Sequence, residues 1–167
     1  MPDKIRWLLA CSLAAVTAVG LGATSAHAAP SSPAYEVPDD VYVAPDVDLS
    51  KPVVRSDQAE LDSDAFACGP YDGAGLPAQW KTYQWLDCSY IGSSPSATKG
   101  YGWAVPGWSE AEACAQGMGY RSGSVYWIGL GCGKSGRGSA SWGEVVGVPK
   151  FKSYGLSVPA ITPLTWA

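Results

Sequence analysis

The stretch Lys81-Thr82-Tyr83-Gln84-Trp85-Leu86-Asp87-Cys88-Ser89-Tyr90 decides the class of fold. Tyr83 and Trp85 share one side of an extended chain, and Leu86, Cys88 and Tyr90 share the other. That two-residue period predicts a strand. Val125-Tyr126-Trp127-Ile128-Gly129-Leu130-Gly131-Cys132 reads the same way. Segments 139–148 and 151–158 predict further strands. Each of the first two strands ends near a cysteine, so each is expected to be tied to an earlier segment.

Ser109-Glu110-Ala111-Glu112-Ala113-Cys114-Ala115-Gln116-Gly117 interrupts the pattern. Ser109 and Glu112 fit a capping box, both glutamates sit where a helix dipole favours anions, and Gly117 stops the run. The expected fold is therefore small α+β, mainly antiparallel β, with one short helix near residues 110–116.

Four cysteines, Cys68, Cys88, Cys114 and Cys132, follow the N-terminal region. An even number in an exported chain predicts two disulfides. Their spacing favours Cys68–Cys88 and Cys114–Cys132, each closing a short loop. No two lie at zinc-site spacing and no Cys-x-x-Cys occurs, so neither metal nor redox chemistry is expected.

Export is itself an expectation from residues 1–28. Lys4 and Arg6 precede an apolar run from Trp7 to about Ala23, which ends in Ala26-His27-Ala28. This is the order of a secretory signal peptide, and no transmembrane segment is expected elsewhere. A lipid anchor on Cys11 is the alternative.

Residues 29–65 hold nine acids against Lys51 and Arg55, with five prolines and no glycine. That composition predicts a disordered acidic arm, a spacer or a mask over the domain behind it. Residues 66–167 form the domain proper. They carry seven bases and five acids, with seven tryptophans, seven tyrosines and eighteen glycines. The bases form no run, so nucleic acid is not an expected partner.

The residue inventory restricts catalysis. His27 is the one histidine and lies in the signal segment, and asparagine is absent. Histidine-based nucleophile pairs and histidine-ligated metals are excluded from a mature chain. Gly131-Cys132-Gly133-Lys134-Ser135-Gly136 matches a dinucleotide glycine pattern but lacks its βαβ context. Ser96-Ala97-Thr98-Lys99 matches a serine-x-x-lysine pattern but lacks its companion motifs, and reads as a solvated loop. No cofactor is expected. Asp87 and Glu144 are the carboxylates without a local role, and a two-carboxylate glycan hydrolase resting on them is one alternative.

Aromatic rings are the remaining resource, because Trp and Tyr stack on sugars and anchor protein interfaces. Glycine and proline in 100–108 predict a surface loop that presents Tyr101, Trp103 and Trp108. A second candidate is the glycine-rich 131–138 segment with Lys134 and Arg137, read as a solvated hairpin turn or an anion nest. The functional expectation is a secreted, non-enzymatic binding or effector protein. It would contact a glycan or protein target through loop aromatics. A secreted inhibitor or toxin-like protein with a protein or membrane target is the other alternative.

Overall fold

Along Thr98–Ala104 the side chains alternate outward and inward, and the inward ones are Lys99, Tyr101 and Trp103. That alternation repeats through a computed structural model that describes residues 36–57, 68–157 and 160–167. Strands are numbered in chain order. Sheet I runs β1 (Tyr42–Val43), β10 (Val145–Gly147), β5 (Ser89–Ile91) and β2 (Val53–Arg55). Sheet II runs β4 (Lys81–Gln84), β11 (Lys150–Gly155), β7 (Ala113–Arg121) and β8 (Ser124–Gly133). Sheet III runs β3 (Tyr71–Gly75), β12 (Thr162–Trp166), β6 (Thr98–Ala104) and β9 (Ser135–Ser141). The two larger sheets are antiparallel, while β1 and β2 join sheet I in parallel. Among the described residues no helix is long and apolar enough to cross a membrane.

The helix expected at 110–116 does not form. Its second half belongs to β7, which pairs with β8 on one edge and β11 on the other. Ala113, Ala115 and Gly117 face inward, while Cys114 and Gln116 face outward. Ser109 acts locally all the same: its hydroxyl accepts the Ala111 N–H at 3.3 Å. The Glu112 N–H donates instead to Ser157 Oγ. An isolated helix of two turns is marginal in water, whereas two hydrogen-bonded edges and a buried face stabilise the extended form.

The predicted strand 81–90 is divided. Residues 81–84 pair in sheet II, the chain turns at Leu86-Asp87, and residues 89–91 pair in sheet I. Residues 125–132 fall within β8 as expected.

The arm also differs from its expectation. Over residues 36–57 it is part of the fold rather than disordered. β1 pairs with β10, β2 pairs with β5, and Ala44 is buried. Its charge hides six valines, of which Val47 and Val54 pack against the core. β-branched residues beside an open sheet edge gain both ladder hydrogen bonds and burial. The rest of the arm (29–35 and 58–65), the signal segment 1–28 and the boundary near Phe66 lie outside the described residues.

Both expected disulfides are present, Cys68–Cys88 and Cys114–Cys132. Cys68 and Cys88 are buried in the core. Cys114 and Cys132 sit directly opposite each other on β7 and β8. Their Cα atoms are 3.9 Å apart, on the outer face of sheet II.

The core is a chain of rings. Tyr120, Trp142, Tyr90, Trp85, Tyr71, Trp166 and Phe151 follow one another at centroid separations of 5.0 to 6.5 Å. Three of these contacts are edge-to-face, the arrangement that ring quadrupoles favour. Glycines on facing strands make room. A Cβ on Gly117 would lie 2.6 Å from the Tyr101 ring, and the Tyr101 hydroxyl donates to the Met118 carbonyl at 2.8 Å.

Lys99 is the exception in this core. It is 8 % exposed, not solvated in a loop as its motif suggested. Its ammonium lies 4.8 Å from the ring centroids of Trp85 and Tyr101 and 5.8 Å from that of Tyr90. It donates to the Gly100 carbonyl. The rings attract the cation, each by up to about 2 kcal/mol when desolvated. No carboxylate among the described residues pairs with it. Burial therefore pulls its pKa down to about 8.

The sign of the resulting pH dependence follows. Between about pH 8 and pH 10 the unfolded chain keeps the Lys99 proton and the folded chain sheds it, so stability rises with pH. Burial pushes the Tyr90 hydroxyl up to about 12 and raises Tyr101 as well. Above about pH 10 the tyrosines ionise first in the unfolded chain, and stability falls again. Denaturant unfolding from pH 7 to 11 should show a maximum near pH 10, with a rise of up to about 3 kcal/mol. Lys99→Met should abolish the rise. A profile that is flat or falls between pH 8 and 10 would contradict the buried ammonium.

Candidate functional site

The expected site residues separate. Tyr101 is buried, and Trp103 is 4 % exposed on the inward face of β6, so neither lies on a loop. The glycines at 100 and 102 are the outward positions of a strand. Trp108 is the exception, at 78 % exposed on the Pro106–Ser109 turn. Lys134 braces that turn, donating to the Ser109 carbonyl and pairing with Glu110 at 3.3 Å. Arg137 lies elsewhere, on the outer face of β9.

The 131–138 segment is no hairpin turn. It is the corner where β8 of sheet II passes into β9 of sheet III. Gly131 and Gly133 adopt φ of 96° and 127°, which L side chains resist, so the Gly-Cys-Gly run serves the corner. Asp87 lies at the turn between β4 and β5, and Glu144 immediately precedes β10 and borders a cleft with Asp40 and Arg121.

Two concave regions lie on other surfaces. A shallow groove of about 660 Å³ crosses sheet III beside Arg137, between Gly102, Ala104, Ser135 and Thr165. Trp103 and Trp166 also line it, but both rings are almost wholly buried, so little of either is open to a ligand. A second cleft of about 440 Å³ lies between Asp40, Tyr42, Arg121 and Glu144. Among the described residues no group of three metal-ligating side chains comes together.

The outer face of sheet II is different, and the sequence reading did not assemble it. Paired residues on neighbouring strands share a face, so the register places Thr82, Lys152, Gln116 and Gly129 in one row. The adjoining rows hold Gln84, Lys150, Met118 and Trp127 on one side, and Tyr154, Cys114 and Cys132 on the other. Trp80 precedes β4, is 42 % exposed, and packs on Tyr154 with centroids 5.6 Å apart. Lys152 Nζ rests 3.9 Å above the Trp127 ring. Met118, in the same row as Lys150, is buried at 1 % exposed, and Asp46 of the arm pairs with Lys150 there. The rest is a strand-built surface of rings, amides, a hydroxyl and ammonium groups.

The signal for this face was present in Lys150-Phe151-Lys152-Ser153-Tyr154. Phe151 and Ser153 are fully buried while Lys150, Lys152 and Tyr154 point out. A period of two in a predicted strand separates exactly such sets, once the partner strands are known.

The two tryptophans of 100–108 should now behave oppositely. Trp103→Ala empties a core position and should cost about 3–5 kcal/mol. Trp108→Ala should change stability by less than about 0.5 kcal/mol. Denaturant unfolding of both variants checks this, and equal losses would refute the placement of β6.

No protein-family model matches the chain, and no curated protein or solved structure matches it either.

Proposed function

We propose that the chain is a secreted, non-enzymatic binding protein that takes a glycan on the outer face of sheet II. The observation that carries this reading is the half-exposed Trp80–Tyr154 pair, set on the same face as Trp127 and the amides of Gln84 and Gln116. Ring faces bury the apolar sides of sugars, and neighbouring amides and hydroxyls bond their polar edges. Tyr154, Trp127 and both amides sit on strands, which hold them more firmly than a loop would, and Trp80 stands immediately before β4. Two disulfides and the N-terminal signal pattern support export.

A protein target is the second reading, favoured by Trp108. An indole 78 % exposed on a braced turn has the character of an interface anchor.

Titrating tryptophan fluorescence with soluble cell-wall polysaccharides tests the first reading. Trp80→Ala and Tyr154→Ala should each weaken binding at least about tenfold, or about 1.4 kcal/mol. Both variants should keep a cooperative melt, and Trp108→Ala should bind as the parent does. Loss of binding in Trp108→Ala alone would move the site to the turn and favour the protein reading.

A further inference from the structure

We infer that the glycan taken by this face is acidic, a uronate-bearing polysaccharide, and that Asp46 of the arm occupies one of its carboxylate positions. The inference rests on the glycan reading of sheet II and adds the charge of the ligand.

Lys150 and Lys152 alternate with buried residues on β11, so both ammonium groups project from the same face. The four strands of sheet II place no carboxylate there: the neighbouring outward side chains are Thr82, Gln84, Gln116, Trp127 and Tyr154. An ammonium surrounded by neutral groups recruits an anion. Lys150 already has one, since its Nζ lies 2.7 Å from Asp46 Oδ2. Both side chains of that pair are only about one-third exposed, at 29 % and 36 %.

Asp46 does not come from the sheet. It lies on the segment between β1 and β2, within the arm that carries nine acids. The arm therefore seats a carboxylate at the edge of the proposed binding face. Lys152 has no ion pair among the described residues, and its ammonium rests on the Trp127 ring. A ring holds an ammonium more weakly than a carboxylate does, and it leaves the outer N–H donors directed to solvent.

The two lysines are two residues apart, so their Cα atoms are about 7 Å apart along β11. A uronate chain lying across the rows would stack on Trp80 and Tyr154. It would place one carboxylate on Lys152 and compete with Asp46 for Lys150. Asp46 thereby weakens the grip on the ligand without closing the ring platform.

The test uses the full chain after export, with polygalacturonate, its fully methyl-esterified form and poly-L-glutamate as probes. Polygalacturonate should bind at least tenfold more tightly than the ester, and this difference should shrink as salt rises. Lys152→Gln should lose most of that difference. Asp46→Asn should bind polygalacturonate severalfold more tightly and leave the ester unchanged. Equal binding of polygalacturonate and its ester overturns the acidic-ligand inference and leaves the glycan reading standing. Poly-L-glutamate bound as tightly as polygalacturonate also overturns it, because charge alone would then suffice. If Asp46→Asn fails to tighten binding, the competing role of Asp46 is overturned. Failure of every polysaccharide, neutral and acidic, removes the glycan reading as well.

Discussion

Rings packed against glycines are the constraint on which this structure depends. The core has few long aliphatic side chains and is filled instead by tryptophan and tyrosine. A flat ring needs a hollow opposite it, and a strand supplies one wherever an inward position is glycine. Tyr101 lies over Gly117, Tyr126 faces Gly119, and Tyr120 with Trp142 fills the space at Gly147. A Cβ at any of these would come within about 3 Å of a ring atom. The abundance of both residue types thus has a single cause. It also explains why Ala113–Arg121 is extended, because only the strand period turns Ala113, Ala115, Gly117 and Gly119 all to the same side.

Much of the fold was legible where the deciding forces are local. Alternation in 125–132 marked β8, and cysteine spacing gave both disulfides. The failures share a different origin. Ser109 and Glu112 carry a valid local helix signal, yet Ala113 onward gains two strand partners that lie far away in sequence. Gly100 and Gly102 read as loop residues because turns favour glycine. Here they are the outward positions of β6, and their neighbours Lys99, Tyr101 and Trp103 are consequently buried. The arm's composition averaged nine acids with six valines and lost the positions of the valines. Sequence period tells which residues share a face but not which face meets the core, and for β6 that choice decided the fate of every candidate residue on it.

The candidate site was hidden by the same ambiguity. Nothing local in the sequence distinguishes Trp80 and Trp127 from Trp85 or Trp142, which are buried. What distinguishes them is the register of four strands. Tyr154 becomes a site residue because Trp80 packs on it, and Lys152 because its ammonium settles on a ring contributed by β8. Such neighbours come from sequence positions 25 to 74 apart.

The two disulfides then acquire different meanings. Cys68–Cys88 is buried and ties the start of β3 to β5, so it serves the core. Cys114–Cys132 joins strands that are already hydrogen-bonded along their length, so it adds little to their pairing. Its position is more informative: Tyr154 lies directly across from Cys114, at the edge of the same face as Trp80. The ladder between β7 and β8 fixes their register beneath the rings, and the disulfide closes its Ala113–Gly133 end. A rigid platform loses little freedom when a ligand settles on it, and that saving appears as affinity. A braced but exposed turn such as the one bearing Trp108 has no comparable restraint. On the proposed glycan reading, the cross-link lies beside the Trp80–Tyr154 pair, whereas the Trp108 turn is braced by Lys134.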